Sequence, residues 1–112
     1  MSDDLQPIVI NLNANKEKLI NEAWLAMFGG AIEMLLKGMF GGDSGPFKSK
    51  YSIRGTSPQI AAFGEALGKE KKYMETFLKY GLNDPRSFSS KASLNRSVAN
   101  FERETGIKWP LN

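Results

Sequence analysis

The sequence predicts an α-rich α+β fold: a long N-terminal amphipathic helix, a Gly-rich linker, and a small C-terminal helical domain with one or two short strands. Three observations carry this. Residues 19–40 form the most apolar stretch of the chain without a proline. Residues 56–80 and the stretch from Ser89 onwards place apolar side chains at helical spacing. Two short segments, 8–12 and 50–54, have strand composition or strand alternation. The expected division is 1–40 as a strand plus an apolar interaction helix, 41–49 as linker, and 50–112 as a compact helical domain.

Taken in order, Ile8 to Leu12 reads as a short strand, with Pro7 tolerable at its start. Asn13 and Asn15 are candidate N-caps for the long helix. On a wheel of 100° per residue, Lys18, Glu22, Ala26, Gly29, Gly30, Glu33 and Lys37 share one stripe of small and charged residues. Ile20, Trp24, Leu25, Met27, Phe28, Ala31, Ile32, Met34, Leu35 and Met39 fill most of the remaining arc, which is unusually wide for a surface helix. A helix from Leu19 to Phe40 would run about 33 Å, while a compact domain of this size has a radius of gyration of roughly 13 Å. The helix is therefore expected either to break at Gly29-Gly30 or to project and meet a partner. Glu33 and Lys37 are spaced to form an i,i+4 pair.

Gly38, Gly41, Gly42, Gly45 and Pro46 end the helix. Lys50 to Gly55 alternates, with Tyr51 and Ile53 on one face. Thr56-Ser57-Pro58 is a helix start, a hydroxyl cap followed by proline. Ile60, Phe63, Leu67, Met74, Phe77 and Leu78 then repeat at helical spacing as far as Tyr80, Gly81 is placed as the terminal glycine, and Gly68 is a candidate break. Asn83 to Arg86 reads as a turn. Ser89 or Ser90 is expected to cap a last helix that turns Leu94, Val98 and Phe101 inward. Thr105-Gly106-Ile107 has the form of a Schellman stop.

Composition narrows the chemistry. The chain has 112 residues, enough for one domain, with no Cys and no His. It thus lacks a thiolate, the usual general base and the commonest metal ligand. Gly42-Asp43-Ser44-Gly45-Pro46 resembles the nucleophile segment of trypsin-like proteases, but that serine needs a histidine to take its proton, so the segment is read as linker. No pair of nearby loop acids suggests a metal site. No catalytic residue, cofactor or metal is assigned, and no enzymatic activity is expected.

Charge is uneven. Residues 1–45 carry three Lys against six acids, a net −3, whereas residues 46–112 carry twelve Lys or Arg against six acids, a net +6. Two surfaces with different tasks are expected. The apolar surface is assigned to Ile20, Trp24, Met27, Phe28, Gly29, Gly30, Ala31, Ile32, Leu35 and Met39, facing a second copy or another protein. Lys69, Lys71, Lys72, Arg86, Lys91 and Arg96 are candidate phosphate contacts, which makes a nucleic acid the alternative partner, although Glu65, Glu70 and Glu75 interrupt the basic run. Gly64 and Gly68, with Ala61 nearby, form a small helical face suited either to packing inside the domain or to contact between subunits. The aromatics Phe63, Tyr73, Phe77, Tyr80, Phe88, Phe101 and Trp109 are expected in the core.

The uncharged run Ala23–Ile32 is ten residues, short of the ~20 that span a bilayer, so no membrane-spanning helix is expected. Asp3 and Asp4 stand where a signal peptide would be basic.

The runs Ile53-Arg54-Gly55-Thr56, Lys71-Lys72-Tyr73-Met74-Glu75, Tyr80 to Arg86, and Phe101 to Pro110 resemble small uncharacterised proteins of tailed bacteriophages. The resemblance covers roughly residues 52–110, and its closing Thr-Gly-Ile-Lys-Trp-Pro is the most specific part. It implies a phage origin; within that class, a small protein with an adhesive helix and no catalytic residue fits a structural or assembly component of the virion. Without it, the expected location is the cytoplasm. It brings no functional residue with it.

Overall fold

The computed structural model describes the backbone of residues 8–41 and 51–111, and the side chains of residues 9–37 and 52–111. The expected linker, 41–49, falls almost wholly outside these, as does the Gly42–Pro46 motif, and so does the side chain of Met39. The elements run β1 (Ile8–Asn11), α1 (Glu22–Gly41), β2 (Tyr51–Arg54), α2 (Ser57–Tyr80) and α3 (Pro85–Thr105). The protein is helix-rich with one small sheet, an α-rich α+β fold.

β1 and β2 pair in parallel, with Ile8 opposite Tyr51 and Asn11 opposite Arg54. The ladder is extended by Leu12 N–H donating to the Arg54 carbonyl at 2.8 Å. Parallel strands need a long crossover, and α1 lies within it, making a β–α–β unit. After β1 the chain turns tightly. Asn13 N–H donates to Asn11 Oδ1 (2.9 Å), and Lys18 takes a left-handed φ of 57°.

α1 starts later than expected. Its cap is Asn21, whose Oδ1 accepts from Trp24 N–H at 2.8 Å and whose carbonyl accepts from Leu25 N–H. Asn13 and Asn15 instead belong to the preceding turns. The helix continues through Gly29-Gly30 without a break, and Gly68 does not split α2. Glu33 and Lys37 form no ion pair among the described residues.

α2 begins with a full capping box. Gln59 N–H donates to Thr56 Oγ1 (3.3 Å), and Thr56 N–H donates to Gln59 Oε1 (2.8 Å). Gln59 Nε2 also reaches the Glu104 carbonyl at 3.4 Å, tying the start of α2 to the end of α3. α3 begins at Pro85, not near Ser89. Asp84 caps it by accepting from Arg86 N–H (2.9 Å), with proline next in the chain. The stretch read as a turn is thus also a helix start, because Asp-Pro carries the same cap-then-proline signal as the start of α2. α3 ends at Gly106, in the left-handed region (φ 74°), whose N–H donates to the Glu102 carbonyl. Ile107 N–H goes to Thr105 Oγ1 (3.0 Å), so the stop is an αL turn rather than the complete Schellman pair.

One core joins all three helices and the sheet: Ile10 and Leu12; Phe28, Ala31, Ile32 and Leu36; Ala62, Phe63 and Ala66; Leu94, Val98 and Phe101; Ile107 and Trp109. Its centre is aromatic. Phe28 lies 6.2 Å from Phe63 and 6.1 Å from Phe101, and Trp109 meets Phe101 edge-on at 5.2 Å. Offset and edge contacts of this kind add to burial itself.

Candidate functional site

The core decides which face of α1 remains outside. Phe28, Ala31 and Ile32 are buried, and Ile20, Trp24 and Leu35 are half-buried against the core. Of the residues assigned to an external partner, these six face their own domain. The correction has a simple cause. Most of the described part of the apolar arc is covered from within the chain, by Phe63, Phe101, Trp109 and the strands, while Leu25, Met27 and Met34 stay exposed. The helix neither breaks nor stands free.

Gly29 and Gly30 point to different surroundings. A Cβ on Gly29 would sit 3.6 Å from Pro110 Cβ, so this glycine faces the C-terminal segment. A Cβ on Gly30 would meet nothing within 4 Å. Gly30 belongs to the outer face, with Ala23, Ala26, Met27 (50% exposed) and Met34 (46% exposed). Glu22, Glu33 and Lys37 are exposed on the same helix. Met34 was not among the assigned residues, although it sits one turn beyond Gly30 on the wheel.

A second apolar group lies where α2 turns into α3, and sequence reasoning missed it. Leu78 is 71% exposed, Leu82 58% and Phe88 59%. Tyr80 is also exposed. The core expected for Phe88 and Tyr80 does not include them, and Leu78, at helical spacing in α2, is also outside. Adjacency gives no signal here, since neighbouring helix positions can both be buried, as Ala62 and Phe63 are. At the start of α3 the small Ser87 is buried and Phe88 beside it is exposed. Arg86 stacks on Tyr80, with its guanidinium carbon 3.6 Å from the ring centroid. It also grips Asp84 through two hydrogen bonds, 2.9 and 3.1 Å. Those bonds, with the backbone cap, hold the Asp84 carboxyl below its ordinary range.

The candidate phosphate contacts separate. Lys69 and Arg96 line one groove of about 310 Å³ between α2 and α3, together with Glu65, Ser93, Ser97 and Asn100. Neither cation has an ion pair among the described residues. The other four do not join them. Lys71 pairs with Glu75 at 2.6 Å, Arg86 is held as above, Lys91 lies 5.0 Å over the Tyr73 ring, and Lys72 is exposed elsewhere on α2.

Gly64 and Gly68 face open space, and Ala61 beside them is exposed. They do not serve packing inside the domain. Glu70, from the basic run, is buried and accepts from Trp109 Nε1–H at 2.9 Å. Burial pushes its carboxyl above the ordinary range, partly offset by that hydrogen bond and by Lys91. Among the described residues no three acids gather as a cation site would require, and no helix is long and apolar enough to cross a membrane.

No protein-family model, curated protein or solved structure matches this chain.

Proposed function

We propose that the protein is a non-enzymatic structural or assembly component that self-associates, or docks onto another protein, through the outer face of α1. The observation that carries this is the Met27–Gly30–Met34 surface: two half-exposed methionines beside a bare glycine on a helix whose other side packs Phe28, Ala31, Ile32 and Leu36 into the core. Methionine adapts to irregular partners, and glycine lets a neighbouring backbone come close. The lack of His and Cys agrees with a non-catalytic role. The resemblance of residues 52–110 to small tailed-phage proteins supports placing it in a virion. Size-exclusion chromatography with light scattering tests the reading. Met27→Glu and Met34→Glu, both at exposed positions, are expected to lower the measured mass while leaving the melting temperature within about 2 °C, as surface changes do. An unchanged mass in both variants overturns self-association through this face.

A second reading is favoured by the groove that brings Lys69 and Arg96 together: an accessory protein that contacts nucleic-acid phosphates. Such binding weakens steeply with salt because counterions are released. Lys69→Gln with Arg96→Gln should reduce the salt dependence by about two phosphate contacts. Absence of any shift of single- or double-stranded DNA at low salt removes this reading.

A further inference from the structure

We propose that the association is head to tail: the outer face of α1 on one copy docks on the apolar end of the α2–α3 hairpin of the next. This rests on the self-association proposed above and adds its second surface.

Two exposed apolar surfaces stand on different elements. One is Met27 and Met34 beside Gly30 on α1. The other is Leu78, Leu82 and Phe88 around the α2–α3 turn. The second contains the most exposed large apolar side chains among the described residues, although Leu78 and Phe88 are within a residue of positions that the hairpin does bury or half-bury. An exposed apolar cluster of this kind marks an interaction site.

Charge selects the pairing. Exposed charges on α1 are Glu22 and Glu33 against Lys37, an excess of one acid. Around the turn Lys79 and Arg86 are exposed and Asp84 is half-buried, an excess of one base. An α1-to-α1 contact would bring Glu22 and Glu33 toward their own copies, and a turn-to-turn contact would bring Lys79 and Arg86 toward theirs. The head-to-tail contact sets unlike charge against unlike charge, which steers encounter and suppresses the two wrong pairings. A contact of this heterologous kind leaves one free surface of each type on every open chain of copies. It therefore closes into a ring or grows as a filament, depending on the rotation between copies.

Two complementary variants test the pairing. Met34→Asp damages only the α1 surface, and Leu82→Asp damages only the turn. Each alone is expected to run as a 12.4 kDa monomer at concentrations where the wild type assembles. Mixed in equal amounts, they are expected to form a 1:1 dimer of twice that mass and nothing larger, since one intact surface of each kind remains. Met27→Asp with Phe88→Asp repeats the experiment at independent positions, and circular dichroism melts confirm that each variant is folded. If Leu82→Asp and Phe88→Asp assemble like the wild type while the α1 variants do not, the contact is α1 to α1. The head-to-tail inference then falls and self-association stands. A mixture that stays monomeric also overturns the inference. A wild type that is itself monomeric removes the self-association reading and this inference together.

Discussion

Trp109 Nε1–H donates to the buried carboxylate of Glu70 at 2.9 Å, across thirty-nine residues of chain. The bond fixes the C-terminal segment over α2, in the place where Trp109 closes the aromatic core and Pro110 reaches Gly29 of α1. Trp109 N–H is held as well, by Glu102 Oε2 at 2.9 Å. A short tail thus links the two ends of the fold.

The buried carboxyl makes stability depend on pH. Desolvation raises its folded value above the ordinary 4.5, so the folded state binds more protons than the unfolded state in the window just above that value. Stability then falls as pH rises through the window. In Glu70→Gln the amide oxygen still accepts from Trp109 and nothing ionises. This variant is expected to melt above wild type at about pH 7 and to converge with it at about pH 3 to 4 in differential scanning calorimetry. Glu70→Leu leaves the indole N–H without a partner and should cost about 1–3 kcal/mol.

The paired glycines of α1 should respond differently. Gly30→Leu meets open space and replaces a poor helix former, so the monomer should gain roughly 0.5–1 kcal/mol while assembly is impaired. Gly29→Ala makes an ordinary contact with Pro110 and should be neutral or stabilising. Gly29→Leu must displace Pro110 and should lower the melting temperature. Thermal melts of the three variants beside light scattering separate these effects.

Gly106→Ala combines two penalties. The backbone is left-handed there, which costs a residue with a Cβ about 1–2 kcal/mol. The new methyl would also collide with the Asn15 side-chain amide. Urea denaturation should show a loss of at least about 1 kcal/mol, with an unchanged slope.

Because Phe28 is shared by α1 and the hairpin core, Phe28→Ala should cost about 3–5 kcal/mol and lower the same cooperative transition that Phe101→Ala lowers. Two separate transitions, with α1 melting alone, would show that α1 is not part of the common core.

Much of the fold was legible where local chemistry acts alone. Thr56 and Pro58 mark the start of α2, Gly81 and Gly106 its end and that of α3, and Leu94, Val98 and Phe101 turn inward as their spacing requires. The two short segments with strand character pair. What failed depends on which surface meets which. Periodicity gave the width of the α1 arc, but only the fold reveals that Phe63, Phe101 and Trp109 cover most of it. Glu70 looked like one more acid in a solvated charge run, because its indole partner is remote in sequence. Asp84-Pro85 was read as a turn because Asn83 and Asp84 also suit one. Phe88 was placed in the core by its spacing, although the small Ser87 beside it takes the buried position.

The outer face of α1 is tested most directly by the mass of the purified protein as a function of concentration. Light scattering over about a hundredfold range should give a mass rising above the 12.4 kDa of one chain, and Gly30→Leu should return it toward that value while remaining folded. A wild type that stays at 12.4 kDa throughout, or a Gly30→Leu variant that assembles as the wild type does, would contradict association through this face.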